Sequence, residues 1–465
     1  MPKTELNWLC IHGHFSQPPR GNPLTGEIGE EADAAPYHNW NQRIAETAYR
    51  PNAEIGNFSH ISYSFGQPLL NWLAHYMPSV YDIISQSDQQ SNGHEQTHGH
   101  ALATAYDHVI LPLARNRDKA TQIRWGLAAF EQMYGRQALG FWLPEMAVDI
   151  DTLVSLADAG IQYTVLSEKQ VRGHLPGNAG PYLVKLPHGR QIAVFVRHDT
   201  LSADLSFNIH NLGGAGHWSR RTLSPLRKQM NGLLLLATSG ETFGHHFAGE
   251  EQFLHWLVTN EAQQAGYRLT TLDEYFLQHS PRKTITIEEY SSWGTSQGLN
   301  EWATGQSQRN TIWKGALRRA LDNTASEVDH AYAVTAEHHQ LSPWSLREQF
   351  APVLLGMEDA EAWIAQRLPE ASKADKTQML NLLRAQQLTQ HMYTSYTFTD
   401  NHLDGRQPYY AITCAALAIN LVQQAGFKDS GDRLRQDLAM MTSTESPITG
   451  VTLLDNVQAA FKLAL

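Results

Sequence analysis

Cysteine is almost absent: Cys10 and Cys414, at opposite ends of the chain, are the two in 465 residues. Two thiols so placed provide neither a disulfide framework nor a cysteine-rich zinc site, and they fit a reducing, cytoplasmic compartment. Long apolar runs are missing too. The longest, around Leu233–Ala237, is far short of the ~20 residues a membrane helix needs. The apolar stretch around Leu9 is broken at His12, so no signal peptide is expected. Charged residues are sparse at 17%, and the net charge of −11 is spread rather than blocked, with no basic patch to hold nucleic acid. No Gly-x-Gly-x-x-Gly or P-loop follows the first apolar run, which removes the usual sign of a nucleotide-binding open sheet. No Gly-x-Ser-x-Gly elbow occurs, so a serine nucleophile is not indicated.

Aromatic residues and histidine are plentiful instead: 12 Trp, 17 Tyr and 23 His. Such side chains fill cores, and they also stack on flat apolar faces such as sugar rings. A chain of this length implies one large domain plus a smaller one.

Short apolar runs recur, and each ends in a polar cluster. Residues 7–11 run into His12-Gly-His14-Phe-Ser-Gln17, 138–143 into Pro144-Glu145, 191–196 into Arg197-His-Asp199, and 232–238 into Ser239-Gly-Glu241-Thr-Phe-Gly-His245-His246. Helical patterns lie between them, at 38–49 (stopped by Pro51), 67–75, 117–134, 149–159 and 249–265. Continuous apolar strands separated by helices imply a parallel sheet buried on both faces. The expected fold is an α/β barrel, distorted or short of eight strands, over residues 1–285. After about residue 285 apolar residues fall at helical spacing (Ala316, Leu317, Ala320, Leu321, Val328, Ala331, Val334), Ser345-Leu-Arg-Glu348 has capping-box spacing, and 286–465 reads as an α-helical domain.

Pro144 cannot pair within a sheet, so Glu145 should stand just past a strand's carboxyl end beside Trp142, the edge where chemistry gathers in α/β proteins. Carboxylates from several strand ends (Glu145, Asp199, Asp204, Glu241) near aromatics meet the needs of glycoside cleavage, in which one group attacks and another protonates the leaving oxygen. The histidines offer a rival reading. His94, His98 and His100, with His245-His246, have spacings that could chelate a metal and so make a metal-dependent hydrolase or deacetylase. Second-row or sugar-hydroxyl contacts are the plainer use of these imidazoles. Asp107-His108 reads as a structural hydrogen-bonded pair. Arg197 and Asp199 read equally as a loop-ordering ion pair or as partners of substrate hydroxyls. Trp40, Trp218 and Trp293 could line a cleft or lie in the core.

Taken together, His14-Phe-Ser-Gln17-Pro, Trp142-Leu-Pro-Glu145, Arg197-His-Asp199-Thr-Leu-Ser202 and Ser239-Gly-Glu241-Thr-Phe-Gly244 resemble the motifs of glycoside hydrolase family 57. Met392-Tyr-Thr-Ser-Tyr396 and Asp404-Gly-Arg406 resemble the helical tail of one of its subgroups. The resemblance implies a distorted (β/α)7 barrel followed by a helical region. It further implies retaining action on α-glucan oligosaccharides or polysaccharides, without metal or other cofactor. Glu145 would be the nucleophile, with His14, Gln17, Trp142, Arg197, Asp199, Glu241, His98 and His246 around the substrate. Where the family has its acid/base Asp, this chain has Ser239. A serine hydroxyl cannot shuttle a proton at neutral pH. Either another carboxylate such as Asp199 or Asp204 serves, or the protein is an impaired sugar-binding relative, or the serine was introduced to inactivate the site.

Overall fold

Side chains at alternate positions of a strand face the same way, so a strand packed on both sides needs apolar residues throughout. Leu233–Ala237 fulfils this completely: every residue is buried. The computed structural model describes residues 7–89, 99–230, 232–295 and 298–463. Its strands are β1 (Asn7–Phe15), β2 (Ser62–Phe65), β3 (Ala103–Thr104), β4 (Gly140–Trp142), β5 (Tyr163–Ser167), β6 (Val171–Arg172), β7 (Tyr182–Lys185), β8 (Gln191–Arg197), β9 (Leu233–Ser239), β10 (Tyr267–Leu269) and β11 (Thr286–Ile287).

Seven parallel strands make the circuit of a distorted (β/α)7 barrel. One sheet holds β9, β1 and β2, and another holds β3, β4, β5 and β8. Two seams join them without continuous ladders. At the first, Tyr63 N–H donates to His100 O (3.0 Å) and Tyr63 O accepts from Leu102 N–H (2.8 Å), linking β2 to β3. At the second, Ala179 is wedged between strands, donating to Leu233 O and accepting from Val196 N–H, each at 2.8 Å; beyond it His198 N–H reaches Leu235 O directly (2.8 Å). Strand β7 adds an antiparallel edge beside β8, and β10 extends the β1 edge. The barrel interior is packed by alternate residues: Trp8 and Cys10 from β1, Tyr163 and Val165 from β5, Ala193 and Phe195 from β8, and Leu233, Leu235 and Ala237 from β9.

The chain divides into two compact units. The barrel unit comprises Met1–Gln17, Gly29–Tyr106 and Phe130–Gly294; the helical unit comprises Pro18–Ile28, Asp107–Ala129 and Thr295–Leu465. In the latter, the helix Trp313–His338 buries Ala316, Leu317, Ala320, Leu321, Val328 and Ala331 against the helices Lys373–His391 and Arg406–Gln424. Arg347 is 1% exposed there, held by Asp118 (2.8 Å), Gln386 (2.7 Å) and Thr121 (2.8 Å). Both cysteines are free and buried. Among the described residues no helix is long and apolar enough to cross a membrane.

Several local expectations are corrected. Pro51 does not stop the first helix, which runs from Trp40 to Glu54 through a wide π turn at Ala45–Tyr49. Proline disrupts an α-helix by its missing N–H and its clash with a carbonyl four residues back, and the widened turn relieves both. Ser345 and Glu348 form no capping box, because the helix Pro343–Glu348 starts earlier, with Ser342 at its N-cap position. Capping boxes are found instead at Ser372/Asp375 and Thr449/Thr452. Val334 is 47% exposed although it falls at the apolar spacing. Asp107 and His108 do not pair with each other: Asp107 accepts from Gln122 Nε2 (2.8 Å), and His108 Nδ1 meets Ser395 Oγ (2.8 Å).

Candidate active site at the carboxyl end of the barrel

After Trp8 and Cys10, the next inward positions of β1 are His12 and His14. Register places His14 opposite Ser64 of β2 on one side and Ser239 of β9 on the other. Trp142, at the end of β4, reaches across the interior and stacks on both imidazoles, 4.6 Å from His12 and 5.2 Å from His14 between ring centres, with planes within 14° and 19°. Ser64 Oγ lies between the histidines, 3.1 Å from His12 Nε2 and 2.8 Å from His14 Nδ1. One hydroxyl has one proton to give. His12 is fully buried and its Nδ1 has no hydrogen-bond partner among the described residues, so the arrangement with fewest stranded protons has His12 Nε2–H donating to Ser64 and Ser64 donating to His14 Nδ1. Burial pushes the His12 pKa down to about 3, so this imidazole is neutral.

Glu145 follows directly. Strand β4 ends at Trp142, Pro144 opens a tight turn, and Glu145 adopts the left-handed conformation, φ 57° and ψ 15°. Met146 follows at φ 48°. Non-glycine residues avoid this region, and pairs of them persist only where neighbours impose the geometry. Here Ser292 Oγ donates to Glu145 O (2.6 Å), Gln170 Nε2 to Met146 O (2.7 Å), and Val148 bridges antiparallel to Ser291. The Glu145 side chain is half-buried.

Glu241 is 4% exposed and saturated with donors. Its Oε1 accepts from Ser16 N–H (3.0 Å), Tyr49 OH (2.7 Å) and Gln17 Nε2 (3.4 Å), and its Oε2 accepts from Ser239 Oγ (2.8 Å). Ser239 closes β9 and Gly240–Thr242 is a 3-10 turn, so residues 239 and 241 do not share a strand face as alternation would have it; the turn makes the contact. Gly244 ends this motif at φ 119°, where a Cβ would lie 2.3 Å from Thr47 O, so the π-turned helix and this loop close on each other only through a glycine. Asn52 seals the junction, donating to Ala48 O (2.8 Å) and Phe243 O (2.7 Å).

Arg197 and Asp199 form the ion pair, Nε to Oδ1 at 3.0 Å. Arg197 Nη1 also donates to Ala237 O (3.1 Å), and its guanidinium lies 5.2 Å from the centre of the Trp293 ring, which is 38% exposed. Burial lowers the Arg197 pKa, against the pull of Asp199. Asp199 Oδ2 accepts from Ser167 Oγ (2.6 Å), tying the ends of β5 and β8 together. Asp204 lies further along the helix Asp199–Asn208, half-buried.

The remaining candidates scatter. His246 is exposed on the loop after Glu241, and His245 Nδ1 meets Thr47 Oγ1 (3.1 Å) beside Trp40. His94 and His98 lie outside the described residues. His100 is buried, its Nδ1 2.9 Å from Ile61 O. Trp218 packs in the core against Phe253. Among the described residues no three His, Cys, Asp or Glu side chains gather as a metal centre would need. Reading the sequence for motifs missed His12, Tyr49, Ser64 and Ser292. Strand alternation from His14 would have found His12; the others come from distant segments and carry no local signal.

No curated protein sequence matches significantly. Among solved structures, an exo-type maltose-forming amylase from Pyrococcus sp. ST04 is similar over 97% of this chain and 88% of its own, at 15% identity and a TM-score of 0.73. The branching enzyme of Thermococcus kodakaraensis is similar over 97% and 94% (14% identity, TM-score 0.58), and the 4-alpha-glucanotransferase of Thermococcus litoralis over 90% and 58% (16% identity, TM-score 0.55). At such identities the likeness is one of fold. Residues 310–450 match a domain of unknown function (DUF3536). The sequence profile of glycosyl hydrolase family 57 matches residues 15–288, more than half of the chain, and the protein belongs to that family.

Proposed function

We propose that the protein acts on α-linked glucan by a retaining mechanism, with Glu145 as the nucleophile. The observation that carries this reading is the left-handed turn that holds Glu145 beyond β4, next to the Trp142–His14 stack. The names of the similar structures (an amylase, a glucanotransferase and a branching enzyme) support the substrate class.

In the first step a Glu145 oxygen bonds to the anomeric carbon as the glycosidic C–O bond breaks, and the leaving oxygen takes a proton from solvent, because Ser239 stands where the family has its acid/base Asp. In the second, water or an acceptor hydroxyl attacks that carbon, gives its proton back to solvent and releases Glu145. Trp142 offers a sugar a flat face, the Arg197–Asp199 pair offers hydroxyl partners, His14 backs the Trp142 ring, and Gln17 acts through Glu241. Turnover of malto-oligosaccharides and glycogen by Glu145→Gln is expected to fall about a thousandfold or more. Equal activity in both proteins would remove Glu145 from this role.

A second reading, a saccharide-binding protein with little or no turnover, is favoured by Ser239, whose proton points to Glu241 instead of a leaving group. Ser239→Asp separates the two. If the site lacks only a proton donor, the rate rises by about 10²–10⁴. If saccharide binds by calorimetry and neither protein releases product, the binding reading stands.

A further inference from the structure

Trp142 stands three residues before Glu145, and its ring has no hydrogen bond of its own to fix it. Its backbone is held, with Thr104 Oγ1 donating to Trp142 O (2.9 Å), but the buried indole Nε1 has no partner among the described residues. The ring is located by stacking on His12 and His14, whose planes lie within 14° and 19° of it. Stacked rings tolerate a range of offsets. The indole is therefore only as well placed as the two imidazoles beneath it.

Both imidazoles are anchored at one atom. Parallel pairing sets His12 opposite Ser62 and His14 opposite Ser64, and alternation turns all four side chains to the same face. Ser64 Oγ lies 3.1 Å from His12 Nε2 and 2.8 Å from His14 Nδ1. For His12 this is the one hydrogen bond among the described residues, since its Nδ1 has no partner. Ser64 is 0% exposed, so bulk water cannot replace the hydroxyl. A serine oxygen hangs on a single torsion, and on a strand paired to β1 its position follows from the backbone. A hydroxyl that gives to one ring nitrogen and accepts from another fixes how both rings are turned. Ser62 is equally buried but serves other groups: it accepts from Leu272 N–H (2.9 Å) and meets Cys10 Sγ at 3.6 Å.

We propose that Ser64 is a positioning residue, whose hydroxyl locks the His12 and His14 rings and, through them, holds the Trp142 ring as the wall of the saccharide site beside Glu145. The assignment rests on the glucan reading of that site.

The test compares full-length wild type, Ser64→Ala, Ser62→Ala, Trp142→Leu and the Ser64→Ala/Trp142→Leu double variant, with Tm recorded for each. Calorimetry with maltotriose is expected to show binding weakened roughly tenfold in Ser64→Ala, the size of one buried hydrogen bond. In the Trp142→Leu background the same change should alter affinity by less than about twofold, because the ring it acts through is gone. A second readout needs no ligand. The near-UV dichroism of Trp142, taken as the difference between wild type and Trp142→Leu, should be largely lost in Ser64→Ala and kept in Ser62→Ala. Ser62→Ala should also keep its maltotriose affinity, although it too removes a buried hydroxyl from β2. Should Ser64→Ala not fold, Ser64→Cys, nearly isosteric and a weaker donor, is expected to move both readouts in the same direction. Unchanged dichroism or affinity in the Ser64 variant, equal losses with and without Trp142, or equal losses from Ser62→Ala would each overturn the proposal while leaving the glucan reading intact. No binding of maltotriose to the wild type would remove that reading and the proposal with it.

Discussion

Glu145 occupies a backbone conformation that costs about 1–3 kcal/mol for an ordinary side chain. Asparagine tolerates that region better than glutamate does. Glu145→Asn is therefore expected to keep Tm level or raise it while abolishing turnover, measured by thermal denaturation beside the activity assay. A Tm lowered by several degrees would make the carboxylate a structural anchor. His12 gives a second test at this scale. Its folded pKa, near 3, lies below the ordinary 6.5, so the unfolded chain binds more protons between those values. Its contribution to stability is complete above pH 6.5 and is lost as pH falls toward 3. His108, lowered to about 4 by burial, acts in the same direction. Asp273, raised to about 6 by burial, acts in the opposite one, stabilising below 3.8 and losing that contribution as pH rises through 6. His12→Gln should flatten the fall of Tm between pH 6.5 and 4. An unchanged slope would mean that His12 is protonated without cost in the fold.

Strand β4 is the element on which the site turns, and it is short. Its first residue, Gly140, sits against Tyr163, where an added Cβ would lie 2.3 Å from Cζ of the ring. Tyr163 cannot yield easily, because its hydroxyl is bonded to buried Asp273 (2.5 Å). Gly140→Ala is expected to cost about 1–3 kcal/mol of stability, read from denaturant unfolding. A neutral result would show that Tyr163 moves freely and that β4 is less constrained than its packing implies. Strands β1, β4, β8 and β9 were readable in sequence, because apolar runs ending in polar clusters are what a doubly covered parallel sheet requires; β2 and β3, four and two residues long, gave no such run. Pro144 marked the end of β4 because proline has no N–H to pair within a sheet. Features that depend on geometry a few residues wide were not readable: the π turn that tolerates Pro51, the helix start after Ser342 rather than Ser345, and the Glu145 turn stabilised from Ser292. Nor did alternation show β7, whose antiparallel pairing with β8 comes from a short hairpin at the sheet edge.

At the scale of the whole molecule, length pointed to a large domain and a smaller one, and the apolar patterning to an α/β and a helical character. Neither could show that Pro18–Ile28 and Asp107–Ala129 belong with the helical unit, since contacts between distant segments leave no periodic trace. The same holds for the site. The strand-end placement of Glu145, Ser239, Glu241 and Arg197 was legible, because each ends or follows an apolar run. Tyr49 and Ser64 were not, because their part is set by partners 192 and 50 residues away. The central claim is that the barrel carries out retaining chemistry through Glu145, and covalent trapping tests it most directly. Incubation with 5-fluoro-α-glucosyl fluoride, whose fluoride departs without a proton donor, followed by peptide mass spectrometry, is expected to place one glycosyl adduct on Glu145 and none on the Glu145→Gln protein. An adduct on another carboxylate, or glucan turnover that survives Glu145→Gln, would contradict it.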